Sequence, residues 1–73
     1  MTISEKKYLQ KVGKRIAYLR RKNGFSQLDI CAEIKMEKSN LSAIENGRQN
    51  ITTLTMKRIA DAICVDVMEF FVL

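Results

Sequence analysis

The side chains in this chain whose types and spacing could do chemistry are small and polar, and they cluster between Glu37 and Asn46. On a helix from Lys38 to Glu45, turning 100° per residue, Lys38, Ser39, Ser42, Ala43 and Asn46 share one outward arc. Asn40, Leu41 and Ile44 point the other way, with Glu45 at the border. That arc suits the edges of base pairs. Lys38 can donate to O6 and N7 of guanine, and Ser39 and Ser42 can donate or accept. The Ala43 methyl can touch a thymine methyl, and Glu37 at the segment's start can accept from a cytosine amine. No large apolar group stands in the arc to stop a narrow helix from entering a groove between phosphate ridges.

A second set of groups fits phosphates rather than bases. Gln27 opens a segment whose free backbone amides and positive dipole end favour an anion. Asn46, Arg48, Gln49, Asn50 and Thr53 flank the far end of the base-reading segment, within reach of a sugar-phosphate backbone. Arg15 and Lys22 read as general solubilising charge. The net charge of +5 and the absence of histidine agree with an anionic partner.

Positioning these groups requires short helices. There is no proline and there are only three glycines, so the chain is expected to be helical almost throughout. Leu9, Val12, Ile16 and Leu19 recur at helical spacing and define a first helix over residues 4–23, stopped at Asn23-Gly24. Ser26 is a good N-cap for a second helix, 26–34, with Ile30, Cys31 and Ile34 inward. A tight connection, Lys35-Met36-Glu37, leads to the third, 38–45, with Leu41 and Ile44 inward and Asn46-Gly47 as its stop. Thr52 or Thr53 caps a fourth helix, 53–63, whose apolar side is Leu54, Ile59, Ala60 and Ile63. Asp66 is placed to cap a fifth, short one at 67–71. The expectation is an all-α, compact five-helix domain of residues 1–73, with helices two and three forming a helix-turn-helix.

Several classes are excluded. There is no glycine-rich phosphate loop and no plausible carboxylate pair, and capping accounts for Ser26, so no enzyme is expected. Two cysteines without histidine cannot build the usual four-ligand zinc site, so no metal or other cofactor is expected. Cys31 and Cys64 read as small buried hydrophobes in a reducing compartment. No apolar run approaches the ~20 residues of a membrane span. The polar start, Met1 to Lys7, is unlike a secretion signal, so the expected location is the cytoplasm.

Ser26-Gln27, the Ile30-Cys31 pair and the run Leu41-Ser42-x-Ile44-Glu45-Asn46-Gly47 together resemble the phage repressor/Cro family. These are helix-turn-helix proteins of the xenobiotic-response-element type, and Arg20 also matches. The resemblance implies a sequence-specific regulator of transcription that binds double-stranded DNA, with Gln27 on the DNA backbone. It also implies a partly buried ion pair between Arg20 and Glu45. Within the family, Glu37-Lys38-Ser39, Gly47-Arg48-Gln49-Asn50-Ile51-Thr52 and the ending Phe70-Phe71 are similar to the small controller proteins of restriction-modification systems. The chain departs from the family at Lys35, where glycine or asparagine is usual, and at Cys31, where alanine is usual.

A lone domain of this size touches few base pairs, whereas a symmetric dimer sets two reading helices about 34 Å apart, one duplex turn. The apolar surplus near the end, Val65, Val67, Met68, Phe70 and Phe71, is the expected dimer interface. With no segment left over for an effector domain, no small-molecule effector is expected. The alternative is an antitoxin-like interaction module that binds DNA as part of a complex with a second protein.

Overall fold

The first two helices begin at reciprocal caps. In the computed structural model, which describes residues 1–73, α1 runs Ile3–Lys22, and the Thr2 hydroxyl accepts from the Glu5 amide while the Glu5 carboxylate accepts from the Thr2 amide. Ser26 and Asp29 repeat the arrangement ahead of α2, Gln27–Ile34. These backbone amides hold the Glu5 and Asp29 carboxyls below their ordinary values. Helix α3 spans Lys38–Glu45, and α4 spans Thr53–Ala62 with Thr52 as its cap. The fifth segment, Val67–Phe71, is a 3-10 turn and not the fifth α-helix expected from sequence. Five residues capped at Asp66 complete only the tighter i to i+3 pattern.

Every α-helix ends in a left-handed residue. Gly24, at φ +84°, closes α1, and Gly47, at φ +70°, closes α3. Lys35, at φ 55°, closes α2, and Cys64, at φ 63°, closes α4. In each case the amide of the following residue reaches back to a helix carbonyl: Phe25 to Arg20, Met36 to Cys31, Arg48 to Ala43 and Val65 to Ala60. This is the pattern that satisfies orphan carbonyls. Lys35 therefore adopts the backbone usually given to glycine, at a cost of about 1 kcal/mol or more.

The core is one cluster drawn from every element, centred on Ile16, Ile30, Leu41, Ile59, Ile63 and Phe70. Three sequence expectations are corrected here. Phe70 is completely buried and belongs to this core, so it is not on an exposed interface. Leu54 is 57% exposed; it sits in the first turn of α4, on the side away from Ile59 and Ile63. Cys64 is exposed, because the left-handed cap turns it out of the helix, whereas Cys31 is buried as expected. Burial first, and the charge of Glu45 next, push the Cys31 thiol up, which keeps it a neutral apolar group.

Candidate nucleic-acid interface

The position of α3 follows from how closely its C-terminal end approaches α1. Gly13 lies inside α1, and a Cβ there would stand 2.5 Å from the carbonyl oxygen of Ile44 and 2.6 Å from that of Glu45. At Gly47 a Cβ would stand 2.5 Å from the Gln10 Cα. The two helices thus meet backbone to backbone at two glycines. Asn46-Gly47 marks a helix stop in the sequence, whereas the second role of Gly47, against α1, leaves no local signal. Gly13 carried no sequence signal, because the reason for a glycine within a helix is here the neighbouring helix.

Arg20 locks the same end. Its Nε donates to Glu45 Oε2 at 2.7 Å, Nη2 donates to Glu45 Oε1 at 3.0 Å, and Nη1 donates to the Phe25 carbonyl at 2.9 Å. Both charged side chains are more than nine-tenths buried. Glu45 stands at the C-terminal end of α3, where the helix dipole disfavours an anion. The guanidinium fork offsets that, and no buried side-chain nitrogen or oxygen is left without a partner. Gln27 joins the network, its Nε2 donating to Glu45 Oε1 at 2.9 Å. The ends of α1 and α3 and the start of α2 therefore share one polar knot.

With its inner side fixed, α3 presents a graded outer face. Lys38 and Ser39 are exposed, and Ser42 and Ala43 are half-buried. Glu37 takes the N-cap position without using its carboxylate to cap, which leaves both oxygens free toward solvent. Asn46 is exposed, and its Nδ2 donates back to the Ser42 carbonyl at 2.8 Å, holding the side chain along the helix end. Arg48, Gln49 and Asn50 are exposed between α3 and α4, and Thr53 is exposed at the first position of α4. The structure brings Glu37, Lys38, Ser39, Ser42, Ala43 and Asn46 onto one helix. Gln27 is tied to the network beneath that helix, with the α2 amides beside it.

The residues expected at the dimer interface divide. Met68 is 72% exposed and Phe71 43%. Val65 and Val67 are half-buried and pack partly on the core. Beyond them Val72 and Leu73 are exposed, and Leu73 shares a shallow cleft with Ile3, Lys7, Tyr8 and Lys11 of α1. The apolar surface therefore includes the start of α1, which sequence reading did not assign to it. Arg15 anchors the 3-10 turn to α1, donating from Nε to the Glu69 carbonyl at 2.8 Å and from Nη2 to Glu69 Oε1 at 3.1 Å.

No helix is long and apolar enough to cross a membrane. Comparison with known proteins gives concordant results. The family described as a helix-turn-helix domain matches residues 13–63. An uncharacterised HTH-type transcriptional regulator of Sinorhizobium fredii is 36% identical over 58 residues, 80% of this chain and 75% of that protein. The competence pilus inhibition repressor of Acinetobacter baylyi is 29% identical over 62 residues, 85% of this chain but 56% of the longer relative. Among solved structures, the restriction-modification controller protein C.AhdI of Aeromonas hydrophila superposes with a TM-score of 0.84 at 26% identity. It covers 89% of this chain and 98% of that one. A mutant of the controller protein C.Esp1396I gives 0.76 at 27% identity over 86% and 80%.

Proposed function

This chain belongs to the helix-turn-helix domain family and is a DNA-binding transcriptional regulator, and from that premise we propose that it acts as a homodimer on a short inverted repeat, with α3 lying in the major groove. Lys38 and Ser39 read bases from the exposed first turn, while Ser42 and Ala43 lie closer to the groove floor. Glu37 selects a cytosine amine and repels a misplaced phosphate. Gln27 and the α2 amides fix one side of the groove to the backbone, and Asn46, Arg48, Gln49, Asn50 and Thr53 fix the other.

The observation that carries this reading is the clamp on α3. Two glycine contacts and a buried bidentate ion pair hold one end of the helix rigid, while its opposite face is polar and open. A base-reading element needs that rigidity, because hydrogen bonds to base edges are lost with small displacements. The second copy is supplied by the exposed edge of Met68, Phe71, Val72 and Leu73 beside Ile3 and Tyr8.

Lys38→Ala and Arg48→Ala separate the two kinds of contact. Lys38→Ala is expected to cost ~1–3 kcal/mol on the preferred site and to relax preference at one base pair per half-site. Arg48→Ala is expected to weaken all duplexes alike and lower the salt dependence. Titration of both variants against the preferred duplex and a scrambled one reads the difference. An even loss on both duplexes for Lys38→Ala would move that residue to the backbone class.

A further inference from the structure

The strongest concentration of charge in the molecule is not on the reading helix. Eight of the 13 lysines and arginines lie in α1, which carries a single acid, Glu5. Two of those cations are committed: Arg20 to Glu45 and Arg15 to Glu69. The remaining six, Lys6, Lys7, Lys11, Lys14, Arg21 and Lys22, are all exposed, and none has a carboxylate within 4.0 Å. At 100° per residue, all of these but Lys6 form one stripe around exposed Tyr18. That stripe points about 140° from the core residues Val12, Ile16 and Leu19, and about 115° from the flank of Gln10, Gly13 and Arg20 that meets α3. Tyr18 sits between cations, with the Arg15 guanidinium 5.4 Å and the Lys22 ammonium 5.8 Å from its ring centroid.

Arg21 and Lys22, in the last turn, complement the helix dipole, but the rest of the stripe is not a stabilising device. Lys7–Lys11 and Lys11–Lys14 are like-charged neighbours at helical spacing, which oppose the helix. A face needed only for solubility would intersperse acids, as α4 does with Lys57 and Asp61. We propose that this outer face of α1 binds the phosphate backbone of a second duplex DNA segment, without regard to sequence, while α3 reads the first. The stripe extends about 22 Å from Lys7 to Lys22, so it matches a continuous polymer of charge rather than one discrete anion. A membrane surface fits less well, because a helix lying in lipid needs a continuous apolar face next to its cations, whereas Val12, Ile16 and Leu19 are buried in the core and the apolar groups α1 exposes, Ile3, Tyr8 and Tyr18, are scattered along it. A protein partner fits less well too, since lysine is depleted at the centre of such interfaces.

The inference draws from the assigned function only the identity of the polyanion, and its test separates the two. The full chain is compared with a Lys14→Gln/Arg21→Gln/Lys22→Gln variant, whose three positions lie outside the cleft shared by Ile3, Tyr8 and Leu73, and with a Lys14→Arg/Arg21→Lys/Lys22→Arg variant that keeps the charge. Glutamine, arginine and lysine are all good helix formers, and none of the three positions is buried. The readout is capture of a labelled random duplex by protein bound to an immobilised duplex of its preferred sequence. Wild type and the charge-keeping variant are expected to capture. The glutamine variant is expected to lose capture at least tenfold, with a salt slope lower by about 2–3, and to keep its preference for the immobilised sequence. Equal capture by wild type and the glutamine variant overturns the proposal, and would be the result if the two reading helices of a dimer did the bridging. No capture by wild type overturns it as well, as does loss of capture together with sequence preference, or equal affinity of wild type for phosphatidylserine vesicles. A wild type that captures duplex through the stripe but shows no sequence preference would refute the α3 reading and leave this one standing.

Discussion

The α1–α3 junction and the C-terminal edge hold this small domain together in opposite ways. At the junction, identity is dictated atom by atom. Two glycines admit no Cβ because the neighbour is backbone, and one arginine meets one glutamate through a two-point fork. At the edge, Val65, Val67, Met68, Phe71, Val72 and Leu73 grade from half-buried to exposed around a single buried anchor, Phe70. The first region must place a helix to within a fraction of a hydrogen bond's length. The second need only present apolar area, which is non-directional and roughly additive. Geometry there is replaceable, whereas at the junction it is not.

That contrast can be broken most forcefully at the ion pair. Glu45→Ala leaves the Arg20 charge buried without its partner, and about 3–5 kcal/mol of stability is expected to go with it. This is a large part of what a chain of this length possesses. A denaturant midpoint equal to wild type would show that the junction does not depend on the pair. Gly13→Ala is the next test. Alanine gains about 1 kcal/mol in helix propensity over glycine, but its Cβ would meet carbonyl oxygens that cannot swing away as a side chain could. A net loss of about 1–3 kcal/mol is expected, with sequence-specific binding weakened further because α3 is pushed off α1. Gly24→Ala sharpens the comparison, since nothing lies within 4 Å of its Cβ and only the left-handed backbone is strained.

At the edge, Met68→Ala/Phe71→Ala is expected to leave the melting temperature of the isolated protomer within a few degrees of wild type. Self-association and affinity for an inverted repeat should weaken by about 1–2 kcal/mol, read by sedimentation and titration. A large loss of protomer stability would mean that the edge is core after all. The smallest effect is expected at a helix end. Cys64→Gly relieves a left-handed cysteine that is exposed to solvent, and should stabilise by about 0.5–1 kcal/mol once the greater freedom of glycine in the unfolded chain is counted. Thermal unfolding of the variant measures it, and a lowered midpoint would show that the thiol makes a contact of value.

The same division governs what could be read from sequence. Helices α2 and α3 were legible to within a residue, because Ser26 and Asn46-Gly47 are local signals with local causes. The outward arc of α3 was legible in part for the same reason: Lys38, Ser39 and Asn46 are exposed, whereas Ser42 and Ala43 are half-buried, no more open than Asn40. The partnership of Arg20 with Glu45 is not a matter of spacing, being 25 residues apart, and entered only through the family resemblance. Gly13 was silent, since the requirement lies in another helix. Leu54 and Cys64 were misread because an apolar residue at a helix end can sit on the outer side of the turn, which hydrophobic patterning does not register. Phe70 and Phe71 are neighbours of one type in a five-residue 3-10 turn, and only tertiary packing separates the buried one from the exposed one.

The central claim is that α3, clamped from behind, reads base pairs through the side chains beginning at Lys38. Selection of bound sequences from random duplexes, run in parallel with wild type and Lys38→Ala, tests it most directly. The account predicts a wild-type enrichment of two inverted half-sites about one duplex turn apart, and the same pattern in the variant with one position per half-site relaxed. No enrichment by wild type, or an identical enriched pattern from both proteins, would contradict it.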